Sequence, residues 1–180
     1  WYRYGRHQSL DKCDVPSKII VGVLAKGDKY AIDYSGTLIS SGGTAGYCMI
    51  TLPENSQYSI YYIQALLNSK YLEWFSALIG EVFRGGYIAR GTKVLKKLPI
   101  RTIDFNTEKQ VHDKIASLQK GLINIQGEID KNRTNNRKSI PLKRQFDSQK
   151  NELNDKLKIL YNLGESDCRI PLISEVYAIN

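Results

Sequence analysis

Histidine and cysteine are scarce in this chain. Two histidines, His7 and His112, and three cysteines, Cys13, Cys48 and Cys168, are spread over 180 residues. The cysteines are odd in number, far apart and without C-x-x-C spacing, which argues against a disulfide framework or a zinc ribbon. They read as reduced, cytoplasmic cysteines behaving as small hydrophobes. Neither histidine has soft partners nearby in sequence, so no metal site is expected and each takes a surface or hydrogen-bonded role. No apolar run approaches the roughly 18–20 residues that span a bilayer. The segment 58–80 comes nearest, and Gln64, Asn68, Lys70 and Glu73 interrupt it. A soluble chain with no membrane partner is expected. No lysine has Asp or Glu two positions earlier, so the carboxylate–lysine signature of Mg-dependent nucleases is missing. A P-loop and a G-x-S-x-G elbow are missing too. No residue is therefore assigned a catalytic role. The chain opens on Trp1 among charged and aromatic residues, and reads as a piece of a longer polypeptide.

What the chain does have is positive charge, unevenly placed. The formal net charge is +8, with 13 Lys and Arg against 7 Asp and Glu in residues 1–103, and 13 against 11 in 104–180. The first part is where a polyanion is expected to bind.

Two unlike parts meet near Asp104. The first alternates strand and helix signals. Ser17–Leu24 is a β-branched run, Tyr30–Tyr34 alternates polar and apolar, and Lys26-Gly27-Asp28-Lys29 between them reads as a hairpin turn. Tyr47–Leu52 reads as a further strand. Ile60–Ile79 reads as helix with Ile60, Ile63, Leu67, Trp74 and Leu78 near one side, broken at Asn68-Ser69, whose side chains compete for backbone groups. Val94–Ile100 reads as a strand ending at an edge because of Pro99. The second part is helical. Val111, Ile115, Leu118, Leu122, Ile125 and Ile129 form a heptad seam, and Thr107 with Gln110 has capping-box form. Residues 108–131 predict a helix some 36 Å long. Phe146, Leu153, Leu157 and Leu160 begin a second stripe. Between the two, residues 131–144 carry six basic side chains, no acidic one and Pro141, and read as a loop whose charge is solvated, with DNA contact the alternative. The expected fold class is α+β, a mixed twisted sheet with packed helices followed by a long antiparallel helical hairpin. The expected parts are 1–105, 106–164 and a C-terminal segment 165–180, in which Ile170–Tyr177 returns as a strand against the first part.

Four segments occur in a telling order. Tyr4-Gly5-Arg6-His7-Gln8-Ser9-Leu10 comes first, then Leu66-Leu67-Asn68-Ser69-Lys70-Tyr71-Leu72-Glu73-Trp74-Phe75. Lys93-Val94-Leu95-Lys96-Lys97-Leu98-Pro99-Ile100 follows after a glycine-and-arginine loop, and Leu160-Tyr161-Asn162-Leu163-Gly164 comes last. This outline resembles the C-terminal specificity domain of TaqI-like restriction–modification enzymes, well over residues 1–105 and more loosely beyond. The resemblance implies a target recognition domain that binds double-stranded DNA and sets an upstream adenine-N6 methyltransferase domain of the same chain on its site. It implies S-adenosylmethionine for that parent, with Mg if a nuclease is attached. The Asn/Asp-Pro-Pro-aromatic motif of amino-methyltransferases and their glycine motif are both absent, so no cofactor is expected in this fragment. In related specificity subunits long helices act as spacers and docking surfaces, a role the 106–164 hairpin suits. Three alternatives stay open: an interaction or self-association scaffold built on that hairpin, a specificity domain of a phage-exclusion methyltransferase, and a degenerate enzyme domain whose site is assembled from scattered residues.

The candidate contacts fall in loops. Arg84, Tyr87 and Arg90 lie in the segment 83–93, where glycines let the main chain follow a groove edge and each arginine can fork onto guanine O6 and N7. Thr44 and Tyr47 close a glycine-rich loop whose Gly42 and Gly43 let backbone N–H groups approach a phosphate. Those five side chains are the base-reading candidates. Arg3, Arg6, Gly42, Gly43, Lys93, Lys96 and Lys97 are the phosphate-contact candidates. Alternation along a strand would put at most two of the three lysines on one surface.

Overall fold

The computed structural model describes residues 15, 17–26, 30–37 and 46–164. It shows two small antiparallel sheets and five helices, the last two a long pair, an α+β architecture as expected. The first sheet has the order β3-β1-β4, from β1 Lys18–Gly22, β3 Tyr30–Asp33 and β4 Tyr47–Ile50. Its register sets Val21 beside Tyr30 and Cys48, and Ile19 beside Ile32 and Ile50. Side chains alternate faces along a strand, so these two rows form one apolar face turned to the core.

The run read as one strand over Ser17–Leu24 is divided between two sheets. After Gly22 the chain passes to β2, Leu24–Ala25, in a second sheet of order β2-β6-β5 with β5 Val82–Phe83 and β6 Tyr87–Ala89. Val23 is the hinge: its N–H donates to the Gly46 carbonyl at 2.9 Å, and its carbonyl accepts from the Arg90 N–H at 2.6 Å. One peptide stretch thus stitches both sheets together. Strands β5 and β6 form a hairpin turning through Arg84-Gly85-Gly86, with φ of 85° and 77° at the two glycines. Two consecutive left-handed residues are open to glycine without a Cβ penalty.

The break at Asn68-Ser69 is present, and its reason is visible. Helices α1 (Ile60–Leu67) and α2 (Lys70–Ile79) begin on serine caps, Ser59 accepting from the Tyr61 N–H and Ser69 from the Leu72 N–H. The Asn68 side chain turns to the edge of β3, where Oδ1 accepts from the Tyr30 N–H at 3.2 Å and Nδ2 donates to the Tyr30 carbonyl at 3.0 Å. Gln64 Nε2 donates to the same carbonyl at 2.8 Å, and Gln119 Nε2 donates to Gln64 Oε1 at 3.0 Å. Side-chain amides here occupy the place of a neighbouring strand, satisfying an edge that would otherwise be left unpaired against packed helices. The apolar side of this helical pair differs from expectation. Tyr62, Ala65, Leu66, Leu67, Tyr71, Leu72 and Ala77 are the buried hydrophobic residues, whereas Leu78 is half exposed.

The segment read as the strand Val94–Ile100 is instead a helical turn, α3 Thr92–Leu95, continued by turns to Leu98. Lys96 N–H donates to the Thr92 carbonyl and Lys97 N–H to that of Val94. The apolar residues Val94 and Leu98 are four apart, a helical spacing.

Helix α4 spans Lys109–Lys131 and α5 spans Asn136–Leu160. Ile115, Leu118, Leu122, Ile125 and Ile129 are buried as the seam predicts, but Val111 is exposed and His112 takes the inward position. His112 Nε2 accepts from the Ser59 N–H at 3.0 Å, a hydrogen-bonded role among the rings of Tyr58, Tyr62 and Phe105. The expected capping box at Thr107 and Gln110 does not form: Glu108 is the N-cap of α4, without a side-chain cap bond, and the reciprocal bonds lie in the turn ahead of the helix. Asp104, not Thr107, accepts from the Asn106 N–H and the Thr107 hydroxyl, while Glu108 Oε2 reaches back to the Asp104 N–H at 3.0 Å. Those donors hold the Asp104 carboxyl below its ordinary range, the Asn106 N–H most of all. Residues 131–144 are no loop: only 132–135 link the helices, and Pro141 lies inside α5. The base of the helical pair shares the core of the first part, with Leu118, Leu122, Leu153 and Leu157 in one cluster with Ile19, Val21 and Leu66.

Candidate nucleic-acid interface

On the side of the first sheet away from the core, Ile20, Gly22 and Ala31 floor a shallow cleft of about 580 Å³. Tyr47 and Tyr87 stand at its sides, 51 % and 45 % exposed. Tyr47 is opposite Gly22 in the ladder, so no side chain crowds it there. Tyr87 comes from the second sheet, and Lys26 ties that sheet's hairpin down by donating from Nζ to the Gly85 carbonyl at 3.0 Å. Arg84 is exposed at the hairpin turn. Two tyrosines forty residues apart in sequence thus meet at one cleft.

Arg90 does not join them. It is fully buried, its guanidinium bonded to both carboxylate oxygens of Glu73 and lying 5.7 Å from the centre of the Tyr30 ring. A base edge has no access to this side chain, so Arg90 is withdrawn as a base reader. The signal was available in strand parity: residue 90 follows Ile88 by two and shares its inward side, and Ile88 is itself fully buried. What Arg90 does is seat the hairpin. Its backbone N–H holds Val23, its side chain holds α2, and Gly80 lets the strands close, since a Cβ there would lie 2.9 Å from the Ala89 carbonyl oxygen. The Tyr30 hydroxyl in this cluster is pushed up to about 12 by burial, against the opposing pull of the Arg90 charge. A second buried cation, Lys18, pairs across the ladder with Asp33 at 3.1 Å. The Asp33 carboxyl is held well below the usual range, chiefly by the Ser35 hydroxyl and N–H, with Lys18 adding to the effect.

Lys93, Lys96 and Lys97 are exposed. Lys93 lies in α3, and Lys96 and Lys97 follow it at three and four residues in the turn that continues the helix, a spacing that a strand would have split between two faces. Helix α3 starts next to β4, with Thr92 Oγ1 and Cys48 Sγ 3.8 Å apart, but none of the three lysines lines the cleft. Arg3, Arg6, Gly42, Gly43, Thr44 and the segment Ile170–Tyr177 lie outside the described residues.

Two exposed tyrosines from different sheets line one cleft, and Arg84 is exposed on the hairpin turn that carries one of them. The chain belongs to the TaqI-like C-terminal specificity domain family, whose model matches residues 1–100, more than half its length. Over 179 residues, 98 % of the chain, it is 49 % identical to the type II restriction enzyme and methyltransferase RM.Eco57I of Escherichia coli. The matched stretch is 18 % of that protein, so the chain spans less than a fifth of its relative's length. Among the described residues no helix is long and apolar enough to cross a membrane.

Proposed function

We propose that this chain is the DNA-reading part of a restriction–modification enzyme, placing an upstream adenine methyltransferase, with its endonuclease where one is attached, on a short target. The chain itself does no chemistry; S-adenosylmethionine, and Mg for cleavage, belong to the parent polypeptide. The observation that carries this reading is identity at nearly half of all positions, along almost the whole chain, with a restriction enzyme and methyltransferase. In this reading the duplex lies against the cleft, Arg84 reads a base edge from the hairpin turn, and Tyr47 and Tyr87 pack on sugar or base. Lys93, Lys96 and Lys97 hold phosphates and add affinity without sequence information.

Selection of bound duplexes from a randomised pool tests it. The chain should enrich a short common motif, and enrichment without any motif would remove sequence reading from its function. Arg84→Ala should then relax one position of that motif by about 1–3 kcal/mol of discrimination. A variant that selects the unchanged motif takes Arg84 off the reading surface.

A further inference from the structure

The cations of residues 131–144 are arranged by a helix, and that changes what they mean. In a loop such charges spread into water at little cost. Here Arg137 and Lys138 stand in the first turn of α5, where no acidic residue is present and the helix dipole already presents positive charge. Lys131 and Arg133 are differently placed, at the end of α4 where that helix's dipole favours cations, and Lys131 also pairs with Glu128 at 2.8 Å. No described acidic side chain pairs with Arg133, Arg137, Lys138, Lys143 or Arg144, and all five are exposed.

The faces of α5 are equally specific. Ser139, Leu153 and Leu157 define its buried side, toward α4 and the core. Arg137 and Arg144 are seven residues apart, so they share a side about 10 Å long, and it is the side opposite the buried one. Lys138 lies about a quarter turn to one side of it, and Lys143, four residues after Ser139, lies exposed at the border of the buried side. The face carries no acidic residue from 131 to 146, and its exposed apolar residues are Ile140 and Pro141. A protein partner of ordinary kind would want a larger apolar centre than an isoleucine and a proline. Two guanidinium forks on a rigid rod, with lysines beside them, suit a row of phosphates. None of these residues lines the cleft.

We infer that the tip of the helical pair, through Arg137 and Arg144 with Lys138 and Lys143, holds the backbone of the same duplex outside the segment read at the cleft. This rests on the DNA-reading function proposed above and adds a second, sequence-blind grip to it. A like-charge conflict at a helix start, with no acidic side chain paired to it among the described residues, breaks the charge rule of helix ends, and a bound anion would relieve it.

The test compares two double variants of equal charge change in the 180-residue chain. Arg137→Gln with Arg144→Gln removes the proposed phosphate clamps. Lys109→Gln with Lys156→Gln removes two exposed cations elsewhere on the same helices. Binding to a mixed-sequence duplex is followed by fluorescence anisotropy between about 50 and 200 mM salt. The tip variant should show a log–log salt slope shallower by about 1.8, that is about 0.9 for each phosphate no longer neutralised. The control should keep the parent slope, and the motif selected from a random pool should not change in either. Equal slopes in tip variant and parent, or equal losses in tip variant and control, overturn the inference while leaving sequence reading intact. If the parent itself shows no duplex binding at the lowest salt, both the inference and the function it rests on fall. The tip variant should melt at or above the parent temperature, so a weaker slope with a lower melting point counts as damage to the fold and against the inference.

Discussion

The α+β body and the helical arm carry equal numbers of basic residues, thirteen in 1–103 and thirteen in 104–180, and use them differently. In the body, Lys18 and Arg90 are sealed inside and paired, and Arg101 is tied to Glu108 at 2.8 Å. At the tip of the arm five basic side chains stand in water with no described acidic partner. Net charge places the polyanion surface on the body alone, because the arm's acidic residues cancel most of its sum. Availability gives a different map, in which the body offers a few well-held groups around a cleft and the arm offers a concentrated patch. Formal charge counts protons, whereas binding depends on which groups water can reach.

The sharpest way to break this contrast is at Arg90. Arg90→Ala leaves Glu73 and the Tyr30 ring facing a void where a cation was, and should cost about 3–5 kcal/mol by urea unfolding. Arg84→Ala, six residues away on the exposed turn, should stay within about 0.5 kcal/mol of the parent. Equal effects at the two positions would mean the buried lock is not what holds the hairpin. Replacing the pair together, Arg90→Met with Glu73→Leu, should recover most of the loss, since an apolar pair of similar volume has no uncompensated charge. Failure to recover would show that orientation of the ion pair, beyond its burial, sets the sheet in place.

A smaller effect is expected where the arm, the helical pair α1–α2 and the first sheet meet. Asn68→Ala strips the Tyr30 N–H of its acceptor on the edge of β3, while Gln64 still serves the Tyr30 carbonyl. One orphaned donor in a packed setting should cost about 1–3 kcal/mol. Amide exchange at Tyr30 should accelerate more than at Ile19, which sits within the ladder. Uniform acceleration across the sheet would contradict a role confined to its edge.

These particulars also show what the residues disclosed beforehand. The heptad seam gave the arm because its apolar positions repeat over five turns, and local periodicity is a strong signal. Asn68-Ser69 gave the helix break because both side chains carry their own competing bonds. The strand exchange at Val23 was not legible: it depends on Gly46 and Arg90, which are distant in sequence and offer no local pattern. Tyr47 and Tyr87 were each legible as candidates, but their meeting at one cleft is a product of that same exchange. Arg90 was misassigned because its neighbours Gly85, Gly86 and Gly91 read as a loop, while three residues of strand among them set its side. The basic tip was misread because Pro141 suggested a break. Pro141 is the sixth residue of a helix of 25, past the first turn where proline is tolerated, and tertiary packing of the remaining turns offsets its cost.

The smallest effect bears most directly on the contrast between body and arm. If the arm's cations are retained against the interest of the helix they stand on, reversing one should stabilise the protein. Lys138 is the suitable site: it is exposed, it lies in the first turn of α5, and its backbone N–H is held by the Asn135 carbonyl and side chain, whatever residue follows. Lys138→Glu should gain about 0.3–1 kcal/mol in thermal unfolding at low salt, a gain that shrinks as salt screens the dipole. The same change at Lys158, in the last turn of α5, should lose a similar amount, because there the dipole favours a cation. An equal change at both positions would mean that the helix ends are electrostatically indifferent, and a loss at Lys138 that the tip's charge carries no stability cost for a bound anion to offset.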